Sequence, residues 1–256
     1  MKILRLPLIF ILMFCSFAFA QTKTDEKAEE ILAKAVEKLG GERYLQVKTV
    51  VGSGNFSIFR DGQSQITQSF LDVIVFPDKE RTEFKMGGAR TIQTNVGNTG
   101  WLADTSAKII KEQTEEQIES FKRGIRTSLD NLLRGGWRKE NASLTYVGRR
   151  EASVGRRNNV IRLTYPDGFQ IEFEFSDEGF PVKSIYTREN DGEETREEDR
   201  YAQFVEVQGI YTPFIIDHFQ NGVQTSRINY QKIEFNKKIP DSIFAQPKDP
   251  KEIRAD

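Results

Sequence analysis

The chain has 256 residues, with 37 Lys and Arg against 38 Asp and Glu, a formal net charge of −1, one His and one Cys. So even a balance gives no electrostatic case for nucleic acid or an anionic membrane surface as a partner. The first residues bear on export. Lys2 and Arg5 precede an apolar stretch, Leu6 to Phe14, interrupted only by Pro7, and Ala18-Phe19-Ala20 fits the small-x-small cleavage rule. This pattern predicts a secretory signal peptide over residues 1–20, because the stretch is shorter than the roughly 20 residues a spanning helix needs. Cys15 follows Leu12-Met13-Phe14, and Phe14 stands where lipoprotein processing wants a small residue, so Cys15 is read as part of the discarded peptide. Residues 21–256 then form the exported part, one domain without cysteine. It can hold no disulfide and must rely on core burial, which a chain of this length can supply.

In chain order, residues 25–39 predict an amphipathic helix. Ala28, Ile31, Leu32, Ala35, Val36 and Leu39 recur at helical spacing, Thr24 or Asp25 can cap the start, and Gly40-Gly41 stops it. From Thr49 β-branched and aromatic residues rise, and turn signals follow at short intervals: Asp61-Gly62, Pro77-Asp78, Met86-Gly87-Gly88 and Gly97-Asn98. Residues 114–133 return to helical spacing through Ile118, Phe121, Ile125, Leu129, Leu132 and Leu133. Thr114 with Gln117 forms an N-terminal box and Gly135-Gly136 an end. Gly124 is a mid-helix weakness of about 1 kcal/mol relative to Ala. This helix is expected to cover one face or mouth of a sheet.

The second β run alternates most cleanly at Phe169, Ile171, Phe173 and Phe175, with Gln170, Glu172 and Glu174 on the other face. Further turns fall at Asp177–Pro181, Asn190-Asp191-Gly192, Glu206–Gly209 and Asn221-Gly222, and Pro240–Phe244 reads as a closing turn that packs Ile243 and Phe244. About a dozen strands with short turns predict a mainly β, α+β domain, an up-and-down antiparallel sheet curling into a partial or closed barrel.

Catalytic signals are sparse. His218 is the sole histidine, on an apparent strand, and is read as a strand residue near a turn; without a partner Cys it makes no His/Cys zinc site. No Gly-x-Ser-x-Gly elbow, Walker sequence or dinucleotide loop appears in a strand-to-helix context. Glu193-Glu194 and Glu197-Glu198-Asp199, interleaved with Arg196 and Arg200, read as a solvated hairpin rather than paired catalytic acids. Arg149-Arg150 and Arg156-Arg157 flank an exposed turn. No cofactor or metal is expected. Several strands carry bulky residues on both faces, and periodicity alone leaves a filled core and a hollow barrel both open.

Ala28-Glu29-Glu30-Ile31-Leu32 with Ala35-Val36-Glu37-Lys38-Leu39-Gly40-Gly41, then Gly179-Phe180-Pro181-Val182-Lys183, Gly209–Phe214 and Ile239–Phe244, in that order through residues 25–247, resemble the LolA-like periplasmic lipoprotein-sorting family. The resemblance implies a curved antiparallel sheet forming an incomplete barrel with covering helices. It also implies a monomeric periplasmic carrier without enzymatic activity. Such a carrier holds acyl chains of lipoproteins or lipids for transport toward the outer membrane, with membrane-bound donor and acceptor proteins as partners. The expected lining is Phe70, Ile74, Trp101, Phe169, Ile171, Phe173, Phe175, Phe214 and Ile216, with Ile118, Phe121 and Ile125 contributed by the covering helix. Two other readings stay open: a protein-binding or envelope-stress sensing module on the same fold, and a hydrolase using converging carboxylates.

Overall fold

A computed structural model describes residues 25–190, 192–249 and 253; the signal-peptide reading falls outside them. Helix α1, Glu26–Leu39, starts where the Asp25 side chain accepts the Lys27 amide at 2.9 Å. It stops at Gly40, whose φ of 127° suits glycine. A short helix, α2, Glu42–Leu45, follows.

Thirteen strands follow: β1 Thr49–Arg60, β2 Gln63–Val75, β3 Lys79–Met86, β4 Ala89–Val96, β5 Thr99–Asp104, β6 Ile109–Glu112, β7 Ser143–Ser153, β8 Arg156–Thr164, β9 Gln170–Phe175, β10 Pro181–Asn190, β11 Glu193–Val207, β12 Ile210–Gln220 and β13 Val223–Phe235. They form one antiparallel sheet in the order β6-β5-β4-β3-β2-β1-β13-β12-β11-β10-β9-β8-β7. Every neighbour is a hairpin partner except β1 and β13, whose pairing joins two meanders into one surface. The sheet stays open, with β6 and β7 as its edges. A sheet this wide must curl or split, and here helices fill the curl. Between β6 and β7 lie α3, Glu115–Thr127, α4, Leu129–Leu133, and a 3₁₀ turn, Gly136–Glu140.

The expected single helix over 114–133 is thus two. Thr114 and Gln117 form the reciprocal cap that was foreseen. At Ser128 the backbone becomes extended (φ −68°, ψ 146°), while its hydroxyl accepts the Asn131 amide at 3.0 Å and caps α4. A serine able to serve both helices makes the corner, which hydrophobic spacing alone does not reveal.

The two meanders use the helix-covered inner face differently. Across β7–β10 the inner face is filled. Ile161, Leu163, Ile171, Phe173 and Phe175 pack with Ala28, Ile31, Leu32, Ala35 and Leu39 of α1 and with Leu132, Leu133 and Trp137 in one core. Small Ala28 and Ala35, both fully buried, let α1 approach the strands closely. Across β1–β5 the inner face is roofed by α3 across a gap. The outer face of this second meander carries a separate small core, Ile92, Trp101 and Ala103, closed by the Asp241–Phe244 turn: Trp101 Nε1 donates to the Phe244 carbonyl at 2.8 Å. Phe244 is buried as the closing-turn reading expected, and Ile253 packs against the same cluster.

Glu197 and Glu198 depart from the solvated-hairpin expectation: they are 3% and 5% exposed. They lie well down β11, on opposite faces, each with basic partners. Arg188 Nε reaches Glu197 Oε1 at 3.1 Å, and Arg200 Nε reaches Glu198 Oε1 at 2.6 Å.

Candidate ligand-binding cavity

The gap between α3 and the sheet is a cavity of about 640 Å³, and a second of about 480 Å³ adjoins it. Ile74, Gly124, Ser128, Asp130 and Arg134 line both, so the two are sections of one hollow. In the first section Ile74 and Phe76 form the floor and Phe121, Gly124 and Ile125 the roof. The second section runs over Val50, Ile216, Ile228, Tyr230 and Ile233 to Tyr186, Asp199, Tyr201 and His218.

Helix α3 spans this space because it is pinned at its ends. Ahead of it, buried Gln113 exchanges hydrogen bonds with the Asn95 amide at 2.8 and 3.1 Å over Gly100, where a Cβ would stand 2.6 Å from Gln113. At the other end Arg126 binds Asp167 at 2.8 Å and Glu140 at 3.0 Å, with its guanidinium 3.9 Å from the Tyr165 ring centroid. Asn131 Nδ2 and Tyr165 Oη both donate to the Arg126 carbonyl. Between these anchors the face of α3 toward the hollow includes Ser120 and Gly124 as well as Phe121 and Ile125.

Polar groups punctuate the apolar walls. Arg134 has several partners: Nε to Asp130 at 2.8 Å, Nη1 to the carbonyls of Leu45 and Val47, and the guanidinium over the rings of Tyr44 and Phe76. Tyr44 donates to Asp130 at 2.7 Å, and burial pushes its hydroxyl well above the usual range. At the far end His218 sits between two carboxylates, Nδ1 at 2.7 Å from Asp199 and Nε2 at 3.0 Å from Glu197. The hydrogen bond to Asp199 raises the imidazole above its ordinary value of 6.5 against an opposing effect of burial. On β2 and β3, Asp72 faces Thr82 and Ile74 faces Glu80 in register. Thr82 donates to Asp72 at 2.8 Å, and Glu80 lines the hollow. Burial raises both carboxyls, Asp72 strongly, with the charge of Glu80 adding to the effect on Asp72. Tyr230 crosses the floor, lying over Gly52, where a Cβ would stand 2.5 Å from the ring.

Of the residues expected to line a cavity, Ile74, Phe121, Ile125 and Ile216 line the hollow. Phe70 and Phe214 pack on Tyr230, with ring centroids 5.3 and 6.4 Å away, and so support its floor. Ile118 is half-buried on α3, outside both linings. Ile171, Phe173 and Phe175 belong to the filled core, against which Phe169 packs beside Tyr165 and Tyr186. Trp101 lies on the outer face under Phe244. Asp72, Glu80, Arg134, Tyr186, Tyr201 and Tyr230 were not among the expected lining residues. One signal was available: Asp72 takes an inward position in the alternation Phe70, Asp72, Ile74, where an apolar residue is the rule. His218 was read as a plain strand residue, and the structure gives it two carboxylate partners.

The open antiparallel half-barrel with covering helices is a LolA-like fold. Three solved structures share it: a DUF1329 family protein from Desulfovibrio piger (13% identity, 85% of this chain and 97% of that one, TM-score 0.60), an outer membrane lipoprotein-sorting protein domain from Vibrio parahaemolyticus (12%, 85% and 97%, 0.54), and a LolA superfamily protein from Nitrosomonas europaea (15%, 86% and 97%, 0.56). At these identities the likeness establishes the fold. No family model matches the sequence, and no curated protein does.

Proposed function

We propose that this protein is a non-catalytic carrier that is exported by cleavage after Ala20, works in the periplasm, and buries acyl chains of lipids or lipoproteins in the hollow beneath α3. The observation that carries this reading is the hollow itself: two adjoining sections of about 640 and 480 Å³ whose walls, though they include many polar residues, expose mainly apolar surface, a size and lining suited to a small ligand with an apolar chain. Burial of each methylene would contribute about 0.8 kcal/mol, enough for a chain of modest length to be held without covalent chemistry. The apolar floor continues past α3 toward the hairpin tips, where Phe56 and Phe84 pack at 5.4 Å and Ile58, Ile66 and Met86 are exposed. In the carrier reading this strip is the entrance. The same exposed strip favours the second reading, a protein-docking or stress-sensing surface with no lipid cargo.

Native mass spectrometry of residues 21–256 purified from a bacterial periplasm, followed by extraction of any bound molecule, separates the two. A discrete lipid adduct that disappears when Gly124→Trp fills the hollow supports the carrier. A bare mass that takes up nothing from added vesicles moves the assignment to protein docking.

A further inference from the structure

The acidic groups around the hollow are unequally supplied with counter-charge. Asp130 has Arg134, while Glu197 and Asp199 share His218. The other cation of the lining, Lys79, is turned to the outer face, its Nζ 2.9 Å from Asp241 and over the Phe244 ring. Arg123 of α3 acts on Tyr186, at the far end of the second section. Arg81, next on β3, is likewise on the outer face, with Glu83 and the Ile243 carbonyl. Asp72 has the Thr82 hydroxyl and the Val73 amide, Glu80 only the Thr82 hydroxyl, and among the described residues no cation forms an ion pair with either. An acidic pair set into an apolar wall without a cation weakens the empty protein, and features that lower stability are commonly those that function requires.

We propose that the hollow takes an amphiphile whose polar end is a cation, an amine or ammonium, seated against Glu80, with Asp72 adding its charge from behind the wall beside Thr82 and the ligand's chain along Ile74, Phe76, Phe121 and Ile125. The cation supplies the missing counter-charge, and the apolar wall around the pair keeps the attraction from being screened as it would be in water. A carboxylate or phosphate head in the same place would meet two acids, while Arg134 is engaged through Nε by Asp130 and through Nη1 by two carbonyls, and stacks over two rings. The assignment rests on the reading of the hollow as an acyl-chain site and adds a choice of head group to it.

Three ligands with one dodecyl chain and different heads test it: dodecylammonium, dodecyl maltoside and dodecanoate, each titrated below its micellar concentration and read by native mass spectrometry and calorimetry. Dodecylammonium is expected to bind at least about tenfold tighter than dodecanoate. Glu80→Gln, with Asp72→Asn as a second near-isosteric variant, is expected to reduce that preference severalfold and leave dodecyl maltoside unchanged. Dodecanoate binding as tightly as the amine, or a preference that survives both variants, overturns the head-group assignment and leaves the acyl-chain site standing. Failure of all three ligands to bind removes the acyl-chain reading and this one with it.

Discussion

Gly124 offers a test in which stability and binding should move in opposite directions. It sits in the middle of α3, lines both sections of the hollow, and a Cβ built on it meets nothing within 4 Å. A mid-helix glycine is less favourable than alanine by about 1 kcal/mol, so Gly124→Ala should stabilise the protein by about that amount. For a chain of this size the gain corresponds to a rise in Tm of about 2–4 °C. Gly124→Trp keeps the helical backbone and gives the indole the hollow to enter, so it should fold at least as well as wild type while losing uptake of a dodecyl amphiphile. Thermal and urea melts read the first effect; calorimetric titration reads the second. A destabilised Gly124→Ala would mean that the roof packs against the sheet and that the gap closes in solution. Undiminished uptake by Gly124→Trp would place the ligand elsewhere.

Three further outcomes follow from the buried polar groups and the outer core. Burial raises Asp72 well above 3.8, so the folded protein holds that proton more tightly than the unfolded chain and loses stability as pH rises through the raised value. Asp72→Asn should therefore be more stable than wild type at neutral pH. The gain should vanish near pH 4, as measured by urea melts at several pH values. His218 is raised from 6.5 by Asp199; its stabilisation is complete below that value and lost as pH climbs through the raised one. The stability difference between wild type and His218→Gln should thus be largest below 6.5 and shrink as pH climbs through the raised value, whereas a constant difference would assign His218 a packing role alone. Phe244→Ala should destabilise by about 3 kcal/mol and shift Trp101 emission to the red. The other tryptophan, Trp137, 1% exposed in the main core, should report no change before global unfolding.

The parts of this fold legible in the sequence are those where one local rule decides. The start of α1 at Asp25, the glycine stop at Gly40, the reciprocal cap at Thr114 and the hairpin turns at Asp61-Gly62 and Asn221-Gly222 each follow from a few neighbouring residues. So does the inward direction of Ile171, Phe173 and Phe175, because strand parity is local. Whether those three positions line a space or fill a core depends on α1, well over a hundred residues earlier, and its alanines. Trp101 illustrates the same limit. Its strand reads Trp101-Leu102-Ala103, without alternation, so its face is set by the register β3–β4–β5, and what covers it is the distant Asp241–Phe244 turn. The His218 pairs were hidden for a similar reason: Asp199 stands opposite it across a hairpin in register, and Glu197 is its diagonal neighbour, while in sequence they are part of an acidic run that normally faces water.

Register also explains why the protein is hollow on one side only. On β8 and β9 the inward positions are Ile161, Leu163, Ile171, Phe173 and Phe175, which a helix with small residues can seal dry. On β2 through β5 the inward series set by the strand pairing includes Asp72, Thr82, Glu80, Gln93, Asn95 and Gly100. A helix pressed onto those groups would have to strip them of water or supply a hydrogen bond to each. Apart from the Gln113–Asn95 exchange at its edge, α3 offers that surface few partners: its facing side combines Phe121 and Ile125 with Gln117, Ser120 and Gly124, and the Gln117 amide oxygen is taken up by the Thr114 N–H. The helix is therefore anchored at its two ends and held off in the middle. The resulting space combines apolar walls contributed by Ile74, Phe76, Phe121 and Ile125 with polar groups that packing could not tolerate. A purely apolar ligand would leave Glu80 and Asp72 desolvated, and a purely polar one would leave the walls unused. An amphiphile satisfies both, which is why the head-group comparison is the more discriminating measurement once any binding is seen.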